Sequence, residues 1–261
     1  MALATREIVR FFRQPNRVIG GLGQPLLFWL LFSVGLNRSF NMPDQDFGQY
    51  YIPGTLVLIL LFTAIFSTIS IIEDRREGFL QSVLVAPVSR WAMVLGKVIG
   101  GACIAWLQSL IFLALALTFS SGASISQTLQ VTILLALAGL AFTALGFVIA
   151  WRLDSTQGFH AIMNLLLLPM WLLSGAFFPI PSTATGGTIA EDFMHWLMRL
   201  NPVTYVVSGI RHLLSGDGVA DVSQFWLPDL THCWLVSLAF AVVMFGAAWQ
   251  TSKQHTSGDL L

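Results

Sequence analysis

Long runs of apolar residues, separated by short polar stretches, recur along most of this 261-residue chain. A helix needs about 20 apolar residues to cross the hydrocarbon core of a bilayer, and it satisfies its own backbone hydrogen bonds there. Six runs are long enough, and they lie at residues 18–36, 52–72, 94–119, 129–151, 161–178 and 230–249. The pattern predicts an all-α polytopic membrane protein with six transmembrane helices.

The composition supports this prediction. Hydrophobic residues make up 56% of the chain and charged residues only 10%, with a mean hydropathy of +0.76. These values are too apolar for an ordinary soluble domain. Lysine plus arginine and aspartate plus glutamate are equal at 13 each, so net charge gives no support to a nucleic-acid partner.

The distribution of basic residues predicts the orientation of the spans. With six spans, both termini lie on one side of the membrane, and cytoplasmic loops carry an excess of Lys and Arg. One side holds ten such residues and the other three: Arg6, Arg10, Arg13, Arg17, Arg75, Arg76, Arg90, Lys97, Arg152 and Lys253 against Arg38, Arg199 and Arg211. We therefore expect both termini in the cytoplasm.

The first 15 residues have an amphipathic pattern that ends at Pro15. Two sets of side chains fall on opposite sides of a helical wheel, Ala4, Ile8, Phe11 and Phe12 on one side and Arg6, Arg10 and Arg13 on the other. This pattern predicts an interfacial helix on the inner leaflet. A topogenic anchor with no further role is the alternative interpretation.

The loop over residues 73–90, between the second and third spans, has a charged start followed by a short apolar pattern. Phe79, Leu80, Val83 and Leu84 have the spacing of one helix face, and the helix should stop before Pro87. A short apolar face ringed by charge suits a docking helix for a cytosolic partner. The alternative is a helix that only lies under the membrane.

The segment over residues 179–229 is the longest stretch outside the spans. Phe193, Trp196, Leu197 and Leu200 lie at i, i+3, i+4 and i+7, and a second amphipathic stretch follows at 203–214. These patterns predict short outer amphipathic helices before the last span. They form either a re-entrant or cap segment above the bundle, or an interfacial loop that protects helix ends.

Three sequence segments resemble those of the ABC-2 type permeases, the membrane subunits of bacterial ATP-binding-cassette exporters. The resemblance covers nearly the whole chain, which reads as a single transmembrane domain over 1–261. The loop 73–90 is similar to the family pattern D-R-E-x-G-T-L-E-x-L-L-V-x-P-x-S-R, followed by Gly96 and Lys97. Residues 173–179 are similar to L-S-G-x-F-F-P, and residues 201–211 to N-P-x-T-Y-x-x-x-x-x-R. The chain departs from the pattern at Arg76, Phe79 and Gln81, which changes the charge of the expected docking surface.

The resemblance implies a permease that exports a hydrophobic or amphiphilic cargo (drug, lipid or glycan type) across the bacterial cytoplasmic (inner) membrane. It implies an ATPase subunit as partner and a second permease copy, as a homodimer, with the glycines of the first span near that contact. The expected ATPase contact comprises Asp74, Arg75, Glu77, Gly78, Phe79, Leu80, Val83, Leu84 and Pro87. The matching outer motif comprises Asn201, Pro202, Tyr205 and Arg211.

No phosphate-binding G-x-x-x-x-G-K-[ST] sequence occurs in the chain. We therefore expect no enzyme activity and no cofactor in this chain, with ATP and Mg on the partner subunit. His160, His195, His212 and His232 lack the H-E-x-x-H spacing of a zinc enzyme, so a metal site is not predicted.

An ion-coupled secondary transporter or a non-transport membrane protein is the main alternative. An ion-coupled transporter ordinarily needs ionisable residues within its spans. The span interiors hold Gln24, Gln108 and Asn164 but no charged residue at mid-depth. Gln108 and Asn164 are candidates for a translocation path, although hydrogen bonding between helices explains them equally well.

Overall fold

The computed structural model describes residues 2–36, 47–119, 124–181, 189–215 and 226–254. Side-chain positions of Asn16, Arg17 and Ser215 are outside this description. Parts of the predicted outer segment, at 182–188 and 216–225, also lie outside the described residues, as does Arg38.

The described residues form helices almost throughout. In chain order, α1 is Ala2–Phe12, α2 Pro15–Leu36, α3 Phe47–Ser67, α4 Ile69–Arg76, α5 Phe79–Val85, α6 Arg90–Leu117, α7 Ile125–Arg152, α8 Thr156–Trp171, α9 Ile189–Leu200, α10 Pro202–Ser215 and α11 Leu230–Ser252. A π-helical turn, Leu172–Ala176, extends α8.

Within the described residues, six helical segments are long and apolar enough to cross a membrane, which confirms the predicted fold class. They are α2 from Val18, α3 continued by α4 through Thr68, α6, α7, α8 with its π turn, and α11. The boundaries of the predicted runs agree with them to within a few residues at most ends.

The centre of the bundle is α3, which is buried along most of its length. It packs against α2, α6, α7, α8 and α10. A helix that is apolar all round belongs in the core of a membrane protein, while α2 and α11 leave long apolar faces exposed at the periphery. The non-spanning helices lie at the two ends of the bundle. We call these the α5 end and the α10 end.

Local sequence signals set the ends of several helices. Ser124 and Gln127 form a reciprocal capping box at the start of α7, with bonds of 3.2 and 2.8 Å. Ser155 accepts a 2.8 Å bond from the Gly158 amide at the start of α8, and Ser89 caps α6 in the same way.

The first helix, α1, has a protein partner rather than lying only against lipid. It packs on α6 at Gly96 and Gly100. The two helices are so close there that a Cβ at Gly100 would lie 2.9 Å from the Cβ of Glu7. Glu7 is buried and Phe12 is exposed, so the orientation of α1 differs from the one that its amphipathic pattern predicted. Charge pairing, described below, explains the difference.

The two helices of the outer segment have different environments. Val203, Val207 and Ile210 of α10 are buried within the bundle. The predicted apolar stripe of α9, which includes Phe193 and Trp196, is exposed, and α9 instead buries His195 and Met198.

Candidate functional site

A cluster of charged side chains joins α1, α4 and α6 at the α5 end of the bundle. We call it the inner charge cluster, and its members are Arg6, Glu7, Arg10, Glu73, Asp74 and Lys97. Asp74 is fully buried and accepts hydrogen bonds from Arg6 at 2.9 and 3.1 Å and from Arg10 at 3.1 Å. The hydrogen bond to Asp74 is the main reason that the pKa of Arg6 is raised above its ordinary value.

The buried cation of the cluster is Lys97, which is only 6% exposed. Its ammonium donates to Asp74 and, at 2.6 Å, to Glu7 Oε1. Three cations therefore face three carboxylates. A buried charge is tolerated only when it is paired, so the cluster fixes α1 to both α4 and α6.

Two arginines of the loop motif bind the ends of other helices. Arg75 donates to the carbonyl oxygens of Trp151 at 2.7 Å and Leu153 at 3.3 Å, at the end of α7. Arg90 donates to the Ser252 carbonyl at 3.1 Å, at the end of α11. Carbonyl groups at a helix C-terminus lack helical partners and carry partial negative charge. Both arginines therefore hold the bundle together at this end.

The apolar face predicted for docking packs inward. Leu80 is 3% exposed, Val83 and Leu84 contact the core, and the ring of Phe79 lies 3.9 Å below the Arg6 guanidinium. Gly78, with a φ of 74°, makes the turn that places this face against the bundle. The expectation that this face is exposed is corrected by the structure, because the same apolar spacing suits packing against the protein's own core.

A different set of side chains is exposed around α5. We call it the coupling surface, and it comprises Arg76, Glu77, Ser82, Val85, Pro87 and Val88. Val85 is 85% exposed, the highest value among the apolar residues of this loop. Of the residues predicted to contact an ATPase, Glu77 and Pro87 lie on this surface, while Asp74 and Leu80 lie beneath it.

A cavity of about 490 Å³ lies between α2, α3, α6 and α8. Its lining combines aromatic rings with amide, hydroxyl and imidazole groups: Phe11, Gly20, Gly21, Gln24, Pro25, Phe28, Leu58, Phe62, Thr63, Phe66, Ser67, Ile69, Gln108, His160, Asn164, Leu168 and Trp171. The two polar residues that the sequence suggested for a path, Gln108 and Asn164, thus line one cavity.

These two residues differ in their partners. Gln108 is buried, accepts a 2.6 Å hydrogen bond from Thr63 and donates to the Val18 carbonyl at 3.3 Å. Gly21 leaves room for this side chain, because a Cβ there would lie 3.0 Å from the Gln108 amide oxygen. Asn164 is exposed on α8. Gln108 therefore links helices beside the cavity, while Asn164 presents its amide to it.

The outer motif at the α10 end provides hydrogen-bond partners where the π turn interrupts the fifth span. Asn201 donates to the Met170 carbonyl at 2.5 Å, and its side-chain oxygen accepts from the Val203 amide at 3.1 Å. Pro202 is the first residue of α10, a position where its missing N–H is not needed. Asn201 therefore caps α10 and binds a carbonyl just before the π turn.

The rest of the motif binds the same region. Gly175, with a φ of 75°, turns the chain at the π turn, and its carbonyl accepts from Arg211 at 2.9 Å and from the Tyr50 hydroxyl at 3.2 Å. Tyr205 donates to the Arg199 carbonyl at 2.9 Å, between α9 and α10. The L-S-G-x-F-F-P and N-P-x-T-Y segments are therefore two halves of one structure.

The inner charge cluster was not found by sequence reasoning. Arg6 and Asp74 lie 68 positions apart, and Lys97 was counted only as a loop charge. The available signal was local: Arg6 and Arg10 lie four residues apart, on one face of a helix, with Glu7 beside them.

Six spans in the described part of the chain, a cavity with polar groups between them and a helical loop fixed by buried ion pairs define a polytopic α-helical membrane protein. The chain belongs to the ABC-2 type transporter family, whose model matches residues 1–214.

Individual relatives are transport permeases. A putative transport permease, ycf38, from Porphyra purpurea is 26% identical over 82% of this chain and 73% of its own length. The daunorubicin resistance ABC transporter permease protein DrrB1 of Streptomyces coeruleorubidus is 24% identical over 87% and 77% of the two chains. The inner membrane transport permease YadH of Escherichia coli K12 is 26% identical over 79% of each.

Proposed function

We propose that this chain is the membrane subunit of an ATP-driven exporter, in which two permease copies work with two ATPase subunits. The chain lies in the bacterial inner membrane, with both termini and the α5 end on the cytoplasmic side. ATP and Mg bind to the ATPase subunits, and the cargo is hydrophobic or amphiphilic. The excess of Lys and Arg at the α5 end supports this orientation.

The observation that carries the proposal is the connection between the coupling surface and the spans. Val85 and Val88 are exposed next to charged residues, which suits contact with a soluble partner. Beneath them, the inner charge cluster ties α4 to α1 and α6, and Arg75 ties the loop to α7. A displacement of α5 by a partner would therefore move several helices at once.

The cavity supports a transport role for Gln108 and Asn164. It opens beside α2, where a Cβ at Gly20 or Gly23 would meet nothing within 4 Å. Asn164 is exposed within the span formed by α8 and its π turn, where lipid cannot hydrogen-bond its amide. A second copy facing α2 and α8 would close the cavity into a path.

The names of the relatives support an ATP-binding-cassette partner and a drug-type cargo, since one is named for daunorubicin resistance. The inner charge cluster gives little support to ion coupling, because each of its carboxylates already faces a cation. An ion-coupling site requires a carboxylate whose partner changes during transport.

The experiment that tests the proposal is capture of the tagged chain from its native membrane, with and without Val85→Asp. We expect an ATPase subunit to accompany the wild-type chain and at least tenfold less of it to accompany the variant, since an acid would be placed at the most exposed apolar position of the coupling surface. Mass spectrometry of the captured material gives the ratio.

Ile125→Asp is the matched control, because Ile125 is 90% exposed but lies at the start of α7, away from α5. This variant should retain the ATPase. Absence of an ATPase from the wild-type material would overturn the proposed function, and equal retention by both variants would exclude the coupling surface as the contact.

A further inference from the structure

We propose that the cavity between α2, α3, α6 and α8 binds an uncharged, flat, polycyclic aromatic compound that carries a hydrogen-bonding group. This inference rests on the proposed function and narrows its cargo from drugs, lipids and glycans to one chemical class. Three features of the cavity support it: the depth of its polar groups, the nature of its walls and the absence of charge along its described lining.

The polar groups lie near the middle of the membrane. Gln24 is the tenth residue of α2 and Asn164 the ninth of α8, and both helices begin at the α5 end. At about 1.5 Å per residue, each lies about 12–15 Å along its helix, close to half the thickness of the hydrocarbon core. Both side chains are exposed. An amide is costly in hydrocarbon without a partner, so this face suits a ligand with hydrogen-bonding groups.

The walls around these amides are aromatic. Phe28, Phe62, Phe66 and Trp171 line the cavity, and the Phe66 ring lies 5.2 Å from the His160 ring at an angle of 32°. Aromatic side chains favour offset stacking and edge contacts with other rings. Flat ring systems gain more from such walls than flexible acyl chains do. The volume of about 490 Å³ is in the range of sites for drug-sized ligands.

Lysine, arginine, aspartate and glutamate are absent from the described lining. Of the cations at the α5 end, Arg6, Arg10 and Lys97 are paired with carboxylates of the inner charge cluster, and Arg13 is exposed. A phosphate or sulfonate bound beside Gln24 and Asn164 would lose its hydration without a counter-ion in the described lining. The cavity thus disfavours phospholipids and lipid-linked glycans.

A matched set of pyrene compounds tests this inference on the full-length chain, with its ATPase, in phosphatidylcholine nanodiscs. 1-Pyrenemethanol and pyrene-1-sulfonate share a ring system and differ in charge. Energy transfer from protein tryptophan to pyrene, corrected for empty nanodiscs, reports the saturable binding. We expect 1-pyrenemethanol to bind at least tenfold more tightly than pyrene-1-sulfonate.

Asn164→Leu should weaken 1-pyrenemethanol binding about tenfold, which corresponds to the loss of one hydrogen bond in a water-poor site. Leu165→Ala is the control, because Leu165 is 79% exposed and lies next to Asn164 without lining the cavity. It should bind as the wild type does. Thermal unfolding of both variants shows that the fold is retained.

Three results would overturn the inference: no saturable binding of 1-pyrenemethanol, equal or tighter binding of pyrene-1-sulfonate, or an unchanged affinity in Asn164→Leu. Retention of the ATPase in the same preparation separates this failure from that of the proposed function. If the ATPase is present and the binding fails, the cargo class alone is wrong.

Discussion

Replacing Asp74 by Asn should detach α1 from the bundle and lower the thermal unfolding midpoint by about 10 °C. The substitution leaves Arg6, Arg10 and Lys97 with Glu7, Glu73 and the exposed Glu77 as counter-charges. Removing one partner from a buried ion pair costs about 3–5 kcal/mol, and each kcal/mol lowers Tm by about 2–4 °C in a protein of this size. Lys97 is the cation least able to compensate, because it is buried and keeps only Glu7 as a counter-charge.

The measurement is Tm in mild detergent, together with limited trypsin digestion after Arg6 and Arg10. Both arginines should be cleaved faster once α1 is released. The double variant Asp74→Leu with Lys97→Met serves as the control, because it removes the trapped cation together with its partner. It should recover at least half of the lost Tm, since Arg6 stays 3.4 Å from the buried Glu7 and Arg10 stays 2.9 Å from Glu73. Equal losses in the single and double variants would show that charge pairing does not hold α1.

Replacing Asn201 by Asp should destabilise the α10 end by about 2–3 kcal/mol, although aspartate is an equally good helix cap. The variant keeps the acceptor for the Val203 amide but loses the donor to the Met170 carbonyl, 2.5 Å away. A carboxylate beside that carbonyl would be repelled, and the carbonyl would lose the amide donor of Asn201.

Chemical denaturation in detergent micelles measures this change, and transport by the reconstituted complex should fall with it. Thr204→Ser is the matched variant, since it keeps the hydroxyl that donates to the Met198 carbonyl at 2.6 Å. It should change stability by less than about 1 kcal/mol. If Asn201→Asp is as stable as the wild type, then capping of α10 is the whole role of this side chain.

The loop motif that identified the family has a largely internal role in this structure. Asp74 holds α1 and α6, Arg75 binds the end of α7, and Arg90 binds the end of α11. The residues free to meet a partner lie between these anchors. Mutating Phe79 would therefore disturb the packing beneath Arg6, and Val85 is the better position for testing contact with an ATPase.

Of the departures from the family pattern, one lies on the coupling surface and another is packed inside the bundle. Arg76 is exposed on the coupling surface, where the family usually has an acid, so it changes the charge that a partner would meet. Phe79 is packed under Arg6, where it affects the bundle instead. If an ATPase binds the coupling surface, its contact surface should complement the positive charge of Arg76. In the family pattern, an acid usually stands at this position and would require the opposite charge on the partner.

The sequence by itself determined the six spans, the position of the short loop helix and the family. Each depends on a local property: hydropathy over about 20 residues, a proline or glycine that ends a helix, or a motif in one segment. The orientation expected from Lys and Arg depends on a local property too, and it stays a prediction. The spans can be predicted from the sequence because lipid requires each of them to be apolar and helical wherever it lies in the fold.

Only the tertiary structure decided which side of each short helix is buried. In α5 and α1, apolar spacing predicted a face but not its partner, and in α1 pairing with Lys97 buries Glu7 while Arg6 reaches Asp74. The same holds for Gln108 and Asn164, which line one cavity from different helices. Contacts between residues far apart in sequence depend on how the helices pack, and periodicity within one helix carries no information about its neighbour.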